Sequence, residues 1–163
     1  SLPDVGFVYL PGGYPELYLA ALSANRQMLQ SIRRYVESGG KLLAECGGMM
    51  YLCDEIRDKN GYVYPMAGVL HQSATMENMK LRLGYRTLLY NETRLKGHEF
   101  HYSRLVEQQN PLPSCAVAYT AKGVETDTPL YHYKNVWAGY THLYWADPVG
   151  NEWFTKFVID GNT

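Results

Sequence analysis

Leu42-Leu43-Ala44-Glu45-Cys46-Gly47-Gly48-Met49-Met50 leads from a short apolar run into a cysteine, two glycines and a second apolar run. The first part reads as a buried strand over 41–45. The part from Gly47 reads as a helix through Met49, Met50, Leu52, Cys53 and Ile56, broken by Asn60-Gly61. A strand that enters a tight turn at a nucleophilic residue, with small residues opening a helix behind it, has the layout of a nucleophile elbow. Such a turn lifts the cysteine off the carboxyl edge of a sheet, and the N–H groups after it face the place where an oxyanion develops. A buried, inert cysteine beside a glycine turn is the plain alternative. The joint presence of strand, cysteine, Gly-Gly and helix outweighs it.

Upstream, residues 5–10 form a continuous apolar run ending at Pro11-Gly12-Gly13, the form of a buried parallel strand feeding a turn. Pro15 opens a helical pattern carried by Leu17, Leu19, Ala20 and Leu22. A second pattern follows, with Asn25 as N-cap, through Met28, Leu29, Ile32, Tyr35 and Val36 to Gly39-Gly40. The order β-α-α-β-turn-α predicts parallel strands covered by helices. Downstream, 80–90 and 94–105 read as a hairpin-like pair around Asn91-Glu92-Thr93. Residues 115–120, 130–133 and 136–140 read as further strands, with a turn at Lys134-Asn135. A closing helix over 151–159 carries Trp153, Phe154, Phe157 and Val158 on one face.

The chain has 163 residues, 46% hydrophobic and 19% charged, with a formal net charge of -1. That suits one globular domain over 1–163 and excludes a disordered tail, a collagen-like fibre or a disulfide-stapled miniprotein. No basic block points to nucleic acid, and no apolar run approaches the roughly 20 residues of a membrane span. Cys46, Cys53 and Cys115 are odd in number and lack metal-type spacing, which suits a reducing, cytoplasmic setting. No signal-type leader precedes them. A phosphate loop is missing, since Gly40-Lys41 is followed by Leu42, and neither His-Glu-x-x-His nor Cys-x-x-Cys occurs, so no ATP or metal site is expected within these residues.

A cysteine nucleophile needs a base. Of His71, His98, His101, His132 and His142, the last follows the predicted strand 136–140 at the sheet edge where α/β proteins place ligands. It reaches Cys46 if the two strands are neighbours. His98 and His101 fall on opposite faces of one strand, so one lines a site and the other is structural. The turn Gly12-Gly13 offers backbone N–H groups at the same edge. The 15 tyrosines suit sheet packing, or a large ring-shaped ligand nearby.

The segments PGGYPE (11–16), AECGGMMYL (44–52), LGYR (83–86), GHEFHYS (97–103) and GYTHLYWA (139–146) resemble the glutamine amidotransferase domain of the cobyrinic acid a,c-diamide synthases, in that family's order. The resemblance covers nearly the whole chain. PGGYPE argues against the sister cobyric acid synthases, while homologues acting on a nickel sirohydrochlorin share the motifs. It implies a three-layer, flavodoxin-like class I amidotransferase sandwich with a mostly parallel sheet. It also implies a glutaminase that supplies ammonia for ATP-dependent amidation of the a and c carboxylates of cobyrinic or hydrogenobyrinic acid. Carried over, Cys46 is the nucleophile and His142 its base and acid. Gly13 and Gly47 supply oxyanion N–H groups. Gly12, Tyr14 and Glu16 shape the glutamine pocket. Glu99, His101, Tyr102 and Ser103 face that pocket or the partner domain and its corrinoid. ATP and Mg2+ belong to an N-terminal domain outside this chain, and no cofactor is implied within it.

Two departures accompany the resemblance. Class I amidotransferases carry His-x-Glu, whereas Tyr144 stands two residues after His142, which leaves Glu99, Asp147 or no residue as the third triad member. The family's domain also begins about one strand and one helix before Ser1. Loss of that strand, taken as internal, predicts unpaired edges and exposed apolar surface, or a second copy that supplies the pairing. A Cys-elbow hydrolase or redox sensor of the same fold, or a non-catalytic relative, are the competing readings.

Overall fold

In the computed structural model, which describes residues 1–160, the first apolar run forms strand β1 (Phe7–Leu10). A single 3-10 turn at Pro15–Leu17 and two helices follow, α1 (Leu19–Ala24) and α2 (Arg26–Glu37). Asn25 caps α2 as its position predicts, accepting from Met28 N at 3.2 Å. The segment opened by Pro15 is not one helix: Leu17 and Tyr18 project into solvent between the turn and α1. Strand β2 (Lys41–Glu45) then runs parallel to β1, with Leu10 beside Ala44.

Helix α3 (Gly47–Leu52) is shorter than its periodicity predicts, and Cys53–Arg57 is strand β3. Cys53 and Ile56 fit a helical spacing, but here they are buried through pairing with β4 (Val63–Pro65), which overlaps the tyrosine-rich strand read at 62–64, and with β5 (Leu70–Thr75), which the sequence reading did not define. Tertiary pairing overrides a weak local pattern. The hairpin is present as β6 (Arg82–Tyr90) and β7 (Thr93–His101), joined by the two-residue turn Asn91-Glu92. The predicted second strand is cut at His101, because β8 (Arg104–Leu105) leaves the hairpin to pair with β5. Strands β9 (Val117–Thr120), β10 (Glu125–Thr126), β11 (Leu130–Tyr133), β12 (Val136–Gly139) and the two-residue β13 (His142–Leu143) precede helix α4 (Pro148–Asp160). That helix starts three residues before its predicted position: Pro148 fits the first turn, and Asn151 N donates to Asp147 O at 2.8 Å.

The central sheet has the order β1-β2-β12-β11, with β1, β2 and β12 parallel. Side chains alternate between its faces. Leu42, Ala44, Val136 and Ala138 pack with Leu29, Ile32 and Val36 of α2 and with Met49, Met50 and Leu52 of α3. Leu43 and Trp137 pack on the other side with Trp153 and Phe157 of α4 and Leu88 and Leu95 of the hairpin. Helix, sheet and a second covering layer thus make the expected three-layer α/β sandwich. Among the described residues β1, β2 and β12 are consecutive parallel neighbours without an internal gap, and the outer strands of the sheet are β1 and β11. No helix among them is long and apolar enough to cross a membrane.

Candidate active site

Cys46 adopts φ +51° and ψ -112°, a conformation that costs a non-glycine residue about 1–3 kcal/mol and persists only where its surroundings enforce it. Three contacts enforce it. Cys46 N donates to Gly139 O at 2.8 Å, which ties the elbow to β12, and Met50 N donates back to Cys46 O at 3.1 Å. Gly47 lies so close to the upstream turn that a Cβ there would fall 2.5 Å from Gly13 O. The side chain is 5% exposed, and its Sγ lies 3.7 Å from Phe100 O.

Because β12 is the parallel neighbour of β2, with Gly139 opposite Glu45, the chain leaving β12 passes over the elbow. His142 is delivered there and pinned by the β13–β7 pairing, opposite His98. The sequence condition that β2 and β12 be neighbours is met. Interaction with Cys46 first and with Glu45 second raises the His142 imidazolium to about 9. The arrangement sets a thiol beside the base that a cysteine nucleophile needs. His98 stacks on His142 with ring centres 5.1 Å apart. Burial, and then the neighbouring His142 charge, push His98 down, so it stays neutral beside the cation. His101 points to the opposite face, buried and stacked on Tyr140 at 3.7 Å.

Glu45 is the residue that sequence reading passed over. It is 2% exposed, accepts from Tyr9 Oη at 2.6 Å and Leu143 N at 3.0 Å, and places Oε2 3.8 Å from His142 Nδ1. The available signal was a carboxylate closing an otherwise apolar strand directly before the nucleophile. The two carboxylates weighed from sequence lie elsewhere. Glu99, on the other face of β7 from His98, is paired with Arg86 and accepts from Thr128 Oγ1 at 2.8 Å. Asp147 pairs with Lys96 at 3.2 Å and supports the start of α4.

The PGG turn lies against the pair. Gly12 has φ +116°, and a Cβ on it would fall 2.9 Å from His142 Cε1 and 3.5 Å from Cys46 Cβ. Gly13, the next residue, is exposed, and Gly47 opens α3, where a helix offers its first N–H no acceptor. Tyr14 is exposed, and Glu16 is half-buried with its carboxyl pushed up by burial. Glu99, His101 and Ser103 form a buried group that lines a cavity of about 260 Å³ with Arg82, Thr128 and Tyr140. Cys46 and His142 are not among that cavity's lining residues. Ser103 Oγ reaches Met50 Sδ at 3.2 Å and Tyr140 Oη at 2.9 Å, so it braces the elbow helix from behind. Tyr102 is partly exposed, edge-on to Phe100. Among the described residues no group of three His, Cys, Asp or Glu side chains is placed to hold a metal ion.

Comparison with known proteins identifies the family of the chain. Hydrogenobyrinate a,c-diamide synthase of Pseudomonas aeruginosa is 38% identical over 149 residues, covering 88% of this chain and 32% of that protein. Cobyrinate a,c-diamide synthase of Salmonella typhimurium is 34% identical over 154 residues, covering 90% and 34%. The chain therefore spans about a third of the length of the curated relatives it matches. A solved structure titled "Crystal structure of glutamine amidotransferase" superposes with TM-score 0.60 at 19% identity over 94% of this chain and 79% of that one, which supports the fold. The model of the CobB/CobQ-like glutamine amidotransferase domain matches residues 1–149, a stretch that holds the elbow, the PGG turn and His142 together. With a family model matched over most of its length and relatives above 30% identity, the chain belongs to the CobB/CobQ-like glutamine amidotransferase domain family.

Proposed function

We propose that Cys46 and His142 hydrolyse glutamine and that the ammonia released amidates carboxylates of a corrin ring. The observation that carries the reading is the thiol–imidazole pair at the ends of two adjacent parallel strands, with Gly12 against both. The Cys46 thiolate adds to the γ-carboxamide carbon, forming the C–S bond while the carbonyl π pair moves to oxygen. The N–H groups of Gly13 and Gly47 receive that oxyanion. Its collapse breaks the C–N bond, and the proton carried by His142 leaves with the nitrogen as ammonia. Water then gives a proton to the neutral His142 and adds to the thioester, and expulsion of the thiolate yields glutamate. Tyr14 and Glu16 border the glutamine pocket.

The remainder rests on the relatives, whose names specify cobyrinate and hydrogenobyrinate a,c-diamide synthesis. ATP with Mg2+ would activate the corrinoid carboxylates on a partner domain outside these 163 residues, in the cytoplasm. A hollow of about 490 Å³ beside the His98–His142 stack, lined by Leu83, Tyr85, Phe100 and Tyr144, supports a face that meets another domain or its tetrapyrrole. Leu83 and Tyr85 are more than half exposed there.

The test is mass spectrometry after treatment with a glutamine-like diazo-ketone. One stoichiometric adduct at Cys46, blocked by glutamine and absent from Cys46→Ser, supports the reading. An adduct elsewhere, or none, overturns it.

A further inference from the structure

We infer that Glu45, the residue immediately before the nucleophile, is the positioning carboxylate of His142, braced from behind by Tyr9. The inference rests on the reading of Cys46 and His142 as the reacting pair and assigns the partner that His142 lacks two residues downstream.

An imidazole that exchanges a proton with a thiol must present one nitrogen to sulfur and keep the other occupied, or the wrong tautomer faces the nucleophile. Here Nδ1 faces Glu45 Oε2 at 3.8 Å, which leaves Nε2 for Cys46. That separation is one that a substrate-bound site closes to a hydrogen bond. The carboxylate cannot drift: Oε1 accepts from Leu143 N at 3.0 Å, so it holds the backbone next to His142 as well as facing the ring. Oε2 also accepts from Tyr9 Oη at 2.6 Å, and Trp145 Nε1 donates to that hydroxyl at 3.4 Å. A carboxylate 3% exposed would be costly unless each oxygen were satisfied and a cation stood close. Both conditions are met by Tyr9, Leu143 and the His142 imidazolium. The other titratable groups facing this imidazole are Cys46 on the elbow and His98 on β7. Tyr144, two residues after His142, is tilted against His98 at 5.7 Å and supplies no carboxylate.

The experiment uses Glu45→Gln and Tyr9→Phe in the polypeptide as the cell makes it. It measures glutamate release against pH and the rate of Cys46 alkylation by iodoacetamide at pH 7. The glutamine side chain of Glu45→Gln keeps an oxygen for Leu143 N, so a merely structural role predicts little change. A positioning role predicts kcat lower by about 10- to 1,000-fold with KM within about threefold, since the tautomer error in a hydrogen-bonded triad costs about 10⁴ and the resting contact here is longer. The alkaline limb of kcat moves down by about one pH unit or more, because an opposite charge is removed from the imidazolium. Alkylation slows about tenfold or more. A folded Glu45→Gln protein with wild-type limb and alkylation rate overturns the inference while leaving the glutaminase reading intact. A wild-type protein that releases no glutamate, but whose alkylation falls in Glu45→Gln, overturns that reading and supports this inference. If Glu45→Gln does not fold, Tyr9→Phe decides: a loss of about 2- to 10-fold in kcat at constant KM supports the brace, and no loss overturns it.

Discussion

Gly12→Ala tests whether the PGG turn sets the position of the base. A Cβ at Gly12 would stand 2.9 Å from His142 Cε1 and 3.2 Å from Glu45 O. Carbon atoms rest at about 3.5–4.0 Å, so the imidazole must retreat by roughly 0.6–1.1 Å. It has little room, because its ring is stacked on His98 at 5.1 Å and its backbone is paired to the same residue. Misplacement of a reacting group by about 1 Å costs on the order of 10²-fold in rate. The φ of +116° at this position adds about 1–3 kcal/mol of backbone strain for any L side chain. Gly12→Ala is therefore expected to lower kcat for glutamate release about 10- to 100-fold, and to slow Cys46 alkylation, which needs the imidazole but no oxyanion site. Gly13→Ala is the control: its φ of +109° brings similar strain, yet nothing lies within 4 Å of the added carbon, so alkylation should be spared. A folded Gly12→Ala protein with full kcat and unchanged alkylation would refute the reasoning.

Since Cys46 first and Glu45 second hold the His142 proton up to about 9, kcat for glutamate release should fall as pH rises through about 9. The stability tied to that proton is fully present below the unfolded histidine value of about 6.5 and is lost as pH rises from there through about 9, which urea midpoints measured across pH will show. Trp137→Ala removes a fully buried side chain packed edge-on against Tyr90 and Trp153, and should cost about 3–5 kcal/mol in urea unfolding.

How far the sequence can be read depends on what stabilises each element. Strands β1, β2 and β12 and helix α2 were legible because each carries its own signal: apolar runs stopped by glycine or asparagine, and a capped helical stripe. Strand β3 was not, because Cys-Asp-Glu-Ile-Arg has no strand character of its own and owes its form to β4 and β5. Strand β13, two residues long, exists only by pairing with β7. The hairpin β6–β7 was legible because nine paired residues on each side make a long signal, while the departure of β8 depends on a partner far back in the chain.

The site divides along the same line. Cys46 was legible from its elbow and His142 from its place after a strand, since each depends on local order. Glu45 was hidden because a charged residue at the end of an apolar strand normally marks the point where the strand leaves the core. Here the topology makes the opposite true. Residues alternating along β2 put Glu45 on the face of Leu43, between two parallel neighbours. From β1 comes Tyr9, two residues beyond Phe7 on that same face, and from the exit of β12 comes the His142–Leu143 segment. The reversal of the chain at Cys46 then turns the thiol back toward the imidazole that the carboxylate faces. The end of one strand and the turn after it thus carry the group that orients the base and the nucleophile. Any change that relaxes the strained turn at Cys46 moves both together, so substitutions at the elbow should disturb the base as strongly as the thiol.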